Sequence, residues 1–171
     1  MDAATSPVDA AQAIFDALRA HDLTIFDRAD HPDVVVDFVA VGVRRGIGEV
    51  RAFFEDLFAA FPDFAIRVVI AVGDGDHAVV QWQATGTFTG TPFQGIHATG
   101  RRIELRGCDV MRFEQGLLKH NTLYYDGLGF ARAVGILPRE GSVADRAMTA
   151  AMNAETDARA WLRRRRTSQP R

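Results

Sequence analysis

The chain has 171 residues, 47% of them hydrophobic, and a formal net charge of −2. That suffices for one buried core plus an appendage, and it gives no overall pull toward nucleic acid or an anionic membrane. A lone cysteine, Cys108, excludes an internal disulfide framework.

The start, MDAATSPVDAAQ, lacks the basic segment and apolar run of a secretion signal, so a cytoplasmic protein is expected. Arg67, Asp74 and Arg112 interrupt every apolar stretch that approaches the roughly 18–20 residues of a membrane span. Nineteen of the twenty basic residues are Arg, and Lys119 is the only candidate for Schiff-base chemistry.

Ser6, Pro7 and Asp9 open the first predicted helix as a capping box with Asp in place of Glu. Val8, Ala11, Phe15 and Leu18 then fall on one face. A shorter helical segment, 22–30, stops before Pro32, and VVVDFVA (34–40) reads as a short buried strand. GIGEVRAFFEDLFAAFPD is the clearest helix, with Ile47, Val50, Phe53, Phe54, Leu57, Phe58 and Phe61 on one stripe and Pro62 at its end.

The period then changes to two. Segments 64–72, 77–88, 101–113 and 117–125 are predicted strands, with hairpin turns at Asp74-Gly75 and Gln115-Gly116. Helices followed by a meandering antiparallel sheet make an α+β domain over 1–138. Residues 139–171 form an Ala- and Met-rich helical extension with a basic run, RRRR, and a frayed end, TSQPR. Ala147, Ala151, Ala154, Ala158 and Trp161 give that helix a face expected to pack on the domain or across a dimer.

A two-residue turn at Gln115-Gly116 sets a register in which Met111 opposes His120, Asp109 opposes Thr122 and Leu105 faces Asp126. Unbroken alternation then places Met111, Asp109, His120, Tyr124 and Asp126 together on the inward face, with Cys108, Lys119 and Asn121 facing away. A bulge in either strand would overturn this. An apolar face carrying two carboxylates, an imidazole and a phenol has the composition of a ligand pocket.

Other chemistries lack their residues. Ser6, Ser142 and Ser168 all lie outside the predicted sheet, which argues against a Ser-His-Asp hydrolase. Histidines 21, 31, 77, 97 and 120 have no metal-binding spacing, and neither a P-loop nor a dinucleotide fingerprint is present. No metal and no cofactor are expected. What remains is cofactor-free acid–base chemistry or binding alone.

FFEDLFAAFPDF, VVQWQATGTFTG and the stretch ATGRRIELRGCDVMRFEQGLLKHNTLYYDGLGFARAVGILP together resemble the SnoaL-like polyketide cyclases of the nuclear-transport-factor-2-like, or ketosteroid-isomerase-like, superfamily. The resemblance, over about 8–138, implies a cone-shaped barrel: a curved antiparallel sheet wrapped on the N-terminal helices, in dimers or higher oligomers. It implies an aldol ring closure without metal or cofactor, with an Asp as general base on a small hydrophobic, polyketide-like substrate. Asp126 in YYD stands at the base's position, with His120 and Tyr124 as neighbours. Two departures, Phe88 in GTF where relatives carry His and AVG where they carry QLG, leave substrate and reaction open.

Each candidate also has a plainer role. Asp126 is equally placed to cap the following helix, and Asp109 with His120 is either a pocket pair or a structural one. Tyr124 is a donor to an enolate or a core hydroxyl. Trp82, Met111 and Phe88 are expected pocket walls, Asp37 is a second acid or faces solvent, and His97 sits on a loop at the mouth or the surface. The arginine run is a solvated helix end rather than a nucleic-acid contact. The rival readings are a non-catalytic small-molecule-binding domain, or a hydrolase, hydratase or isomerase using the same pocket.

Overall fold

The computed structural model describes residues 6–167. Five helices and six strands follow in the order α1 (Pro7–Arg19), α2 (Ile25–Ala29), β1 (Asp30–Phe38), β2 (Gly42–Arg45), α3 (Gly46–Ala60), β3 (Ala65–Asp74), β4 (His77–Thr87), β5 (Arg102–Glu114), β6 (Leu117–Tyr125), α4 (Gly127–Val134) and α5 (Val143–Thr167).

Ser6 caps α1 as its spacing predicts, but the return bond of a capping box is replaced by one from the Ser6 hydroxyl. Ser6 Oγ accepts from the Asp9 amide at 3.1 Å and donates to the Asp9 carboxylate at 2.7 Å. Ala11, Ile14, Phe15 and Leu18 are the buried face of α1. The predicted helix over 22–30 is shorter, and the chain turns extended at Asp30, so Pro32 falls inside β1. It is tolerated because the parallel pairing of β1 with β6 breaks there, jumping from Asp30 opposite Leu118 to Val35 opposite His120. Strand β2, absent from the sequence reading, pairs with β1 as a short hairpin arm.

The strands form one curved sheet in the order β2-β1-β6-β5-β4-β3. Only β1 and β6 run parallel; the other neighbours are antiparallel. α1 and α3 pack on its inner face, α1 against β3 and β4 and α3 against β1. Val34, Val36, Phe38, Val80, Ile103, Met111 and Phe61 are among the most deeply buried residues of the resulting core. Burying each such side chain contributes about 1.5–3 kcal/mol.

One turn differs from its prediction. Asp74 pairs with His77, so the first hairpin loop is Gly75-Asp76 rather than Asp74-Gly75, with Gly75 at φ +58°. Gln115 and Gly116 form the other as expected, at φ +53° and +81°, the two positive angles a type I′ turn requires.

The register beyond that turn is the important correction. Phe113 opposes Leu118 as predicted, but Arg112 opposes His120, which leaves Lys119 as an extra residue on β6. Every residue after the bulge changes face. Met111 now opposes Asn121, Asp109 opposes Leu123 and Cys108 opposes Tyr124. His120 and Tyr124 therefore point outward and are exposed, whereas Asn121 turns inward and is buried.

The last strand runs into α4, capped by Asp126 and closed by Gly135 in the left-handed region at φ +91°. Helix α5 carries Ala147, Ala151, Ala154 and Ala158 exposed, so the domain does not cover those four positions. Of the tail expected to fray, TSQPR, Thr167 still belongs to α5 and 168–171 lie outside the described residues.

Candidate functional site

Between the inner face of the sheet and the helices lies an apolar cavity of about 80 Å³. Phe53, Phe54 and Leu57 of α3 stay only half-buried because they face it. Phe93 and Phe130 stand edge-to-face at 6.5 Å on another part of its wall. Among its lining side chains only Trp82, Asp109 and Tyr125 carry polar atoms.

Asp109 is the centre of that polar group. Its position on β5 directs it inward, where it is only 4% exposed. Trp82 Nε1 donates to one carboxylate oxygen at 2.6 Å and Asn121 Nδ2 donates to the other at 2.6 Å. Desolvation raises its pKa to about 6, against the lowering effect of the Asn121 and Trp82 hydrogen bonds. Such a carboxylate is mostly ionised at neutral pH and a better base than an exposed Asp.

The local sequence explains how the two donors reach it. Trp82 pairs directly with Gly107, and a Cβ added at Gly107 would lie 2.1 Å from the indole. The missing side chain lets the ring lie across β5 toward Asp109. Asn121 reaches Asp109 because of the Lys119 bulge.

A second, inner cavity of about 30 Å³ lies behind the first, and Phe15, Phe38, Phe54, Asp109 and Leu123 form walls of both. It contains a carboxyl the sequence reading passed over. Asp30 is 3% exposed, and burial raises its pKa to about 7. Neither Asp30 oxygen nor Asn121 Oδ1 has a hydrogen-bond partner among the described residues.

The predicted site residues divide accordingly. Asp109 and Trp82 meet in the main cavity, and Met111 lines the inner one. The expected partner of Asp109, His120, is on the opposite face, and Asn121 takes its place. Tyr124 is 51% exposed on the outer face, where Asp126 also lies. Asp126 is exposed and accepts from the Gly129 amide at 2.7 Å, as an N-cap does. Phe88 is a core residue stacked on Phe61 at 4.9 Å rather than a cavity wall. Asp37 takes the outward parity of β1, between Val36 and Phe38, which are buried. His97 is exposed on the loop before β5.

Asp30, Asn121 and Tyr125 are the site residues the sequence reading missed. Signals for them exist. Leu118 and Leu123 are apolar but five apart, which unbroken alternation cannot bury on one face. Asp30 follows Phe26 by four residues, on the apolar side of the short helical segment.

The sequence profile described as SnoaL-like polyketide cyclase matches residues 8–134. No curated protein sequence matches the chain significantly. Among solved structures, a protein from Jannaschia sp. CCS1 bearing the name of a SnoaL-like polyketide cyclase superposes with a TM-score of 0.71 at 22% identity, over 81% of this chain and 97% of that one. TsrD from Streptomyces laurentii superposes at 0.66 with 28% identity, over 75% and 93%. AclR from Streptomyces galilaeus, named as a hydroxylase, superposes at 0.68 with 20% identity, over 82% and 92%. One fold thus carries different reaction names, and the chemistry has to be argued from the site.

Proposed function

Because the chain belongs to the SnoaL-like polyketide cyclase family, we propose that it closes a ring in a small, mainly apolar polycarbonyl substrate, with Asp109 as the general base. The observation that carries this reading is the Asp109 carboxylate in the wall of a phenyl-lined cavity, held by Trp82 and Asn121 and raised to a pKa of about 6.

Asp109 takes a proton from a carbon next to a carbonyl, and the electron pair of that C–H bond becomes an enolate. The enolate carbon attacks a second carbonyl of the same molecule, forming the new C–C bond. The displaced π pair leaves an alkoxide, to which protonated Asp109 returns the proton. The step is an isomerisation with no atom gained or lost. Tyr125 is the remaining polar group on the cavity wall, and burial raises its pKa, so it stays a neutral donor for the enolate oxygen. Holding both carbonyl carbons in one apolar cavity prepays the orientation of the ring closure.

The cavity of about 80 Å³ is below the roughly 300 Å³ at which pockets for drug-sized ligands begin. A polyketide-sized substrate therefore enters only with movement of the cavity walls.

Exchange of the protons next to the carbonyl of small β-diketones into D₂O, followed by NMR, tests the base without the natural substrate. Asp109→Asn should lower the enzyme-dependent exchange rate by at least about 100-fold, in the range typical of general-base removal. Exchange at the wild-type rate by folded Asp109→Asn would refute the assignment.

A further inference from the structure

Three buried acceptor atoms, Asp30 Oδ1, Asp30 Oδ2 and Asn121 Oδ1, line or adjoin the inner cavity without a donor from any described residue. The orientation of the Asn121 amide is fixed by its other end: Nδ2 has to face Asp109, because the reverse would set oxygen against oxygen. Its Oδ1 is thereby committed to the remaining side. Protonating Asp30 supplies one O–H for these three atoms, so at least one stays unsatisfied. Buried acceptors are almost always bonded, and leaving one bare costs about 1–3 kcal/mol.

The walls do not supply the donor. α1, α2 and α3 present Ile14, Leu18, Phe26, Val50 and Phe54 to this space, and among the described residues Asp109 is the only other titratable group lining it. Lys119 and His31, next along the chain from Leu118 and Asp30, engage each other at 3.0 Å, and Lys119 also faces Asp33 at 3.7 Å. The space itself is about 30 Å³, against the about 10–15 Å³ one water needs by this measure.

We propose that the inner cavity is a hydration site in which one or two waters donate to Asn121 Oδ1 and Asp30, and that Asp30 thereby acts as a positioning residue for the Asp109 carboxylate. Asp30 anchors the water, the water fixes the Asn121 amide, and the amide holds Asp109. The link to catalysis rests on the role proposed for Asp109. The two measurements below do not depend on turnover, so this proposal and that one fail separately.

A crystal structure at high resolution should contain water within about 3.2 Å of both Asp30 and Asn121 Oδ1. Titration of the Asp109 carboxyl carbon by NMR should give nearly the same midpoint in wild type and Asp30→Asn, whose amide still anchors water. In Asp30→Leu the midpoint should rise by on the order of one pH unit, as the Asn121 donor is released. The proposal is overturned if Asp30→Leu titrates like Asp30→Asn. It is equally overturned if Asn121 Oδ1 accepts from a protein group and no water is there.

Discussion

Replacing Asp30 by Asn should stabilise the protein at high pH while leaving it nearly unchanged in acid. Asp30 is buried without a cation, and its folded pKa is about 7 against an ordinary 3.8. A raised carboxylate pKa means that folding favours the protonated form. The stability this group contributes is full below about pH 4 and is lost as pH rises through 7. The difference of about three units corresponds to roughly 4 kcal/mol, at 1.36 kcal/mol per unit. An amide of the same shape has no such dependence. Urea unfolding at pH 4, 6 and 8.5 should therefore give an Asn-minus-Asp difference that grows from under about 1 to about 3–4 kcal/mol. Trp82 is the fluorescent reporter, with Trp161→Phe in both proteins to remove the exposed indole on α5. Asp109 contributes equally to both proteins and cancels. A difference independent of pH would refute the reasoning, because Asp30 would then be ionised at no cost in the folded state.

Trp82→Phe removes one of the two donors to Asp109, so the acid limb of the proton-exchange rate, expected near pH 6, should move to higher pH. A limb that stays in place would separate that hydrogen bond from the base. Gly107→Ala pushes a methyl group to within 2.1 Å of the Trp82 ring, and urea unfolding should record the overpacking as a loss of about 1–3 kcal/mol. The Trp82 emission should shift with it. Asp126→Ala deletes a helix cap, which typically costs about 1 kcal/mol, and should leave the exchange rate per folded molecule unchanged. A large fall in that rate would return Asp126 to the reaction.

Much of the fold was legible because its signals are local. The Ser6 cap, the phenyl stripe of α3 ended by Pro62 and the Gln115-Gly116 turn each depend on residues within a few positions. The family resemblance and the buried Asp109 were legible too. The register was misread where one long-range fact intervened, the extra residue at Lys119. No turn residue marks that bulge; its trace in the sequence is the five-residue spacing of Leu118 and Leu123, which unbroken alternation puts on opposite faces. Asp126 drew attention by its position after the last strand, yet its geometry is that of a cap. Asp30 is less legible because it ends the short helix and begins β1, and only its four-residue spacing from Phe26 points inward.

Strand β6 carries two chemical inventories, one on each face. Its outward set is an imidazole, a hydroxyl and a phenol, His120, Thr122 and Tyr124; its inward set is an amide, an alkyl group and a second phenol, Asn121, Leu123 and Tyr125. Which set faces the cavity depends on the count of residues between Leu118 and Asn121 rather than on their identity. Deleting one residue would exchange the β6 contribution to the lining at once, where point substitutions would need several coordinated changes. In such a sheet, one residue inserted or deleted in a strand re-lines a cavity wall more completely than any single substitution.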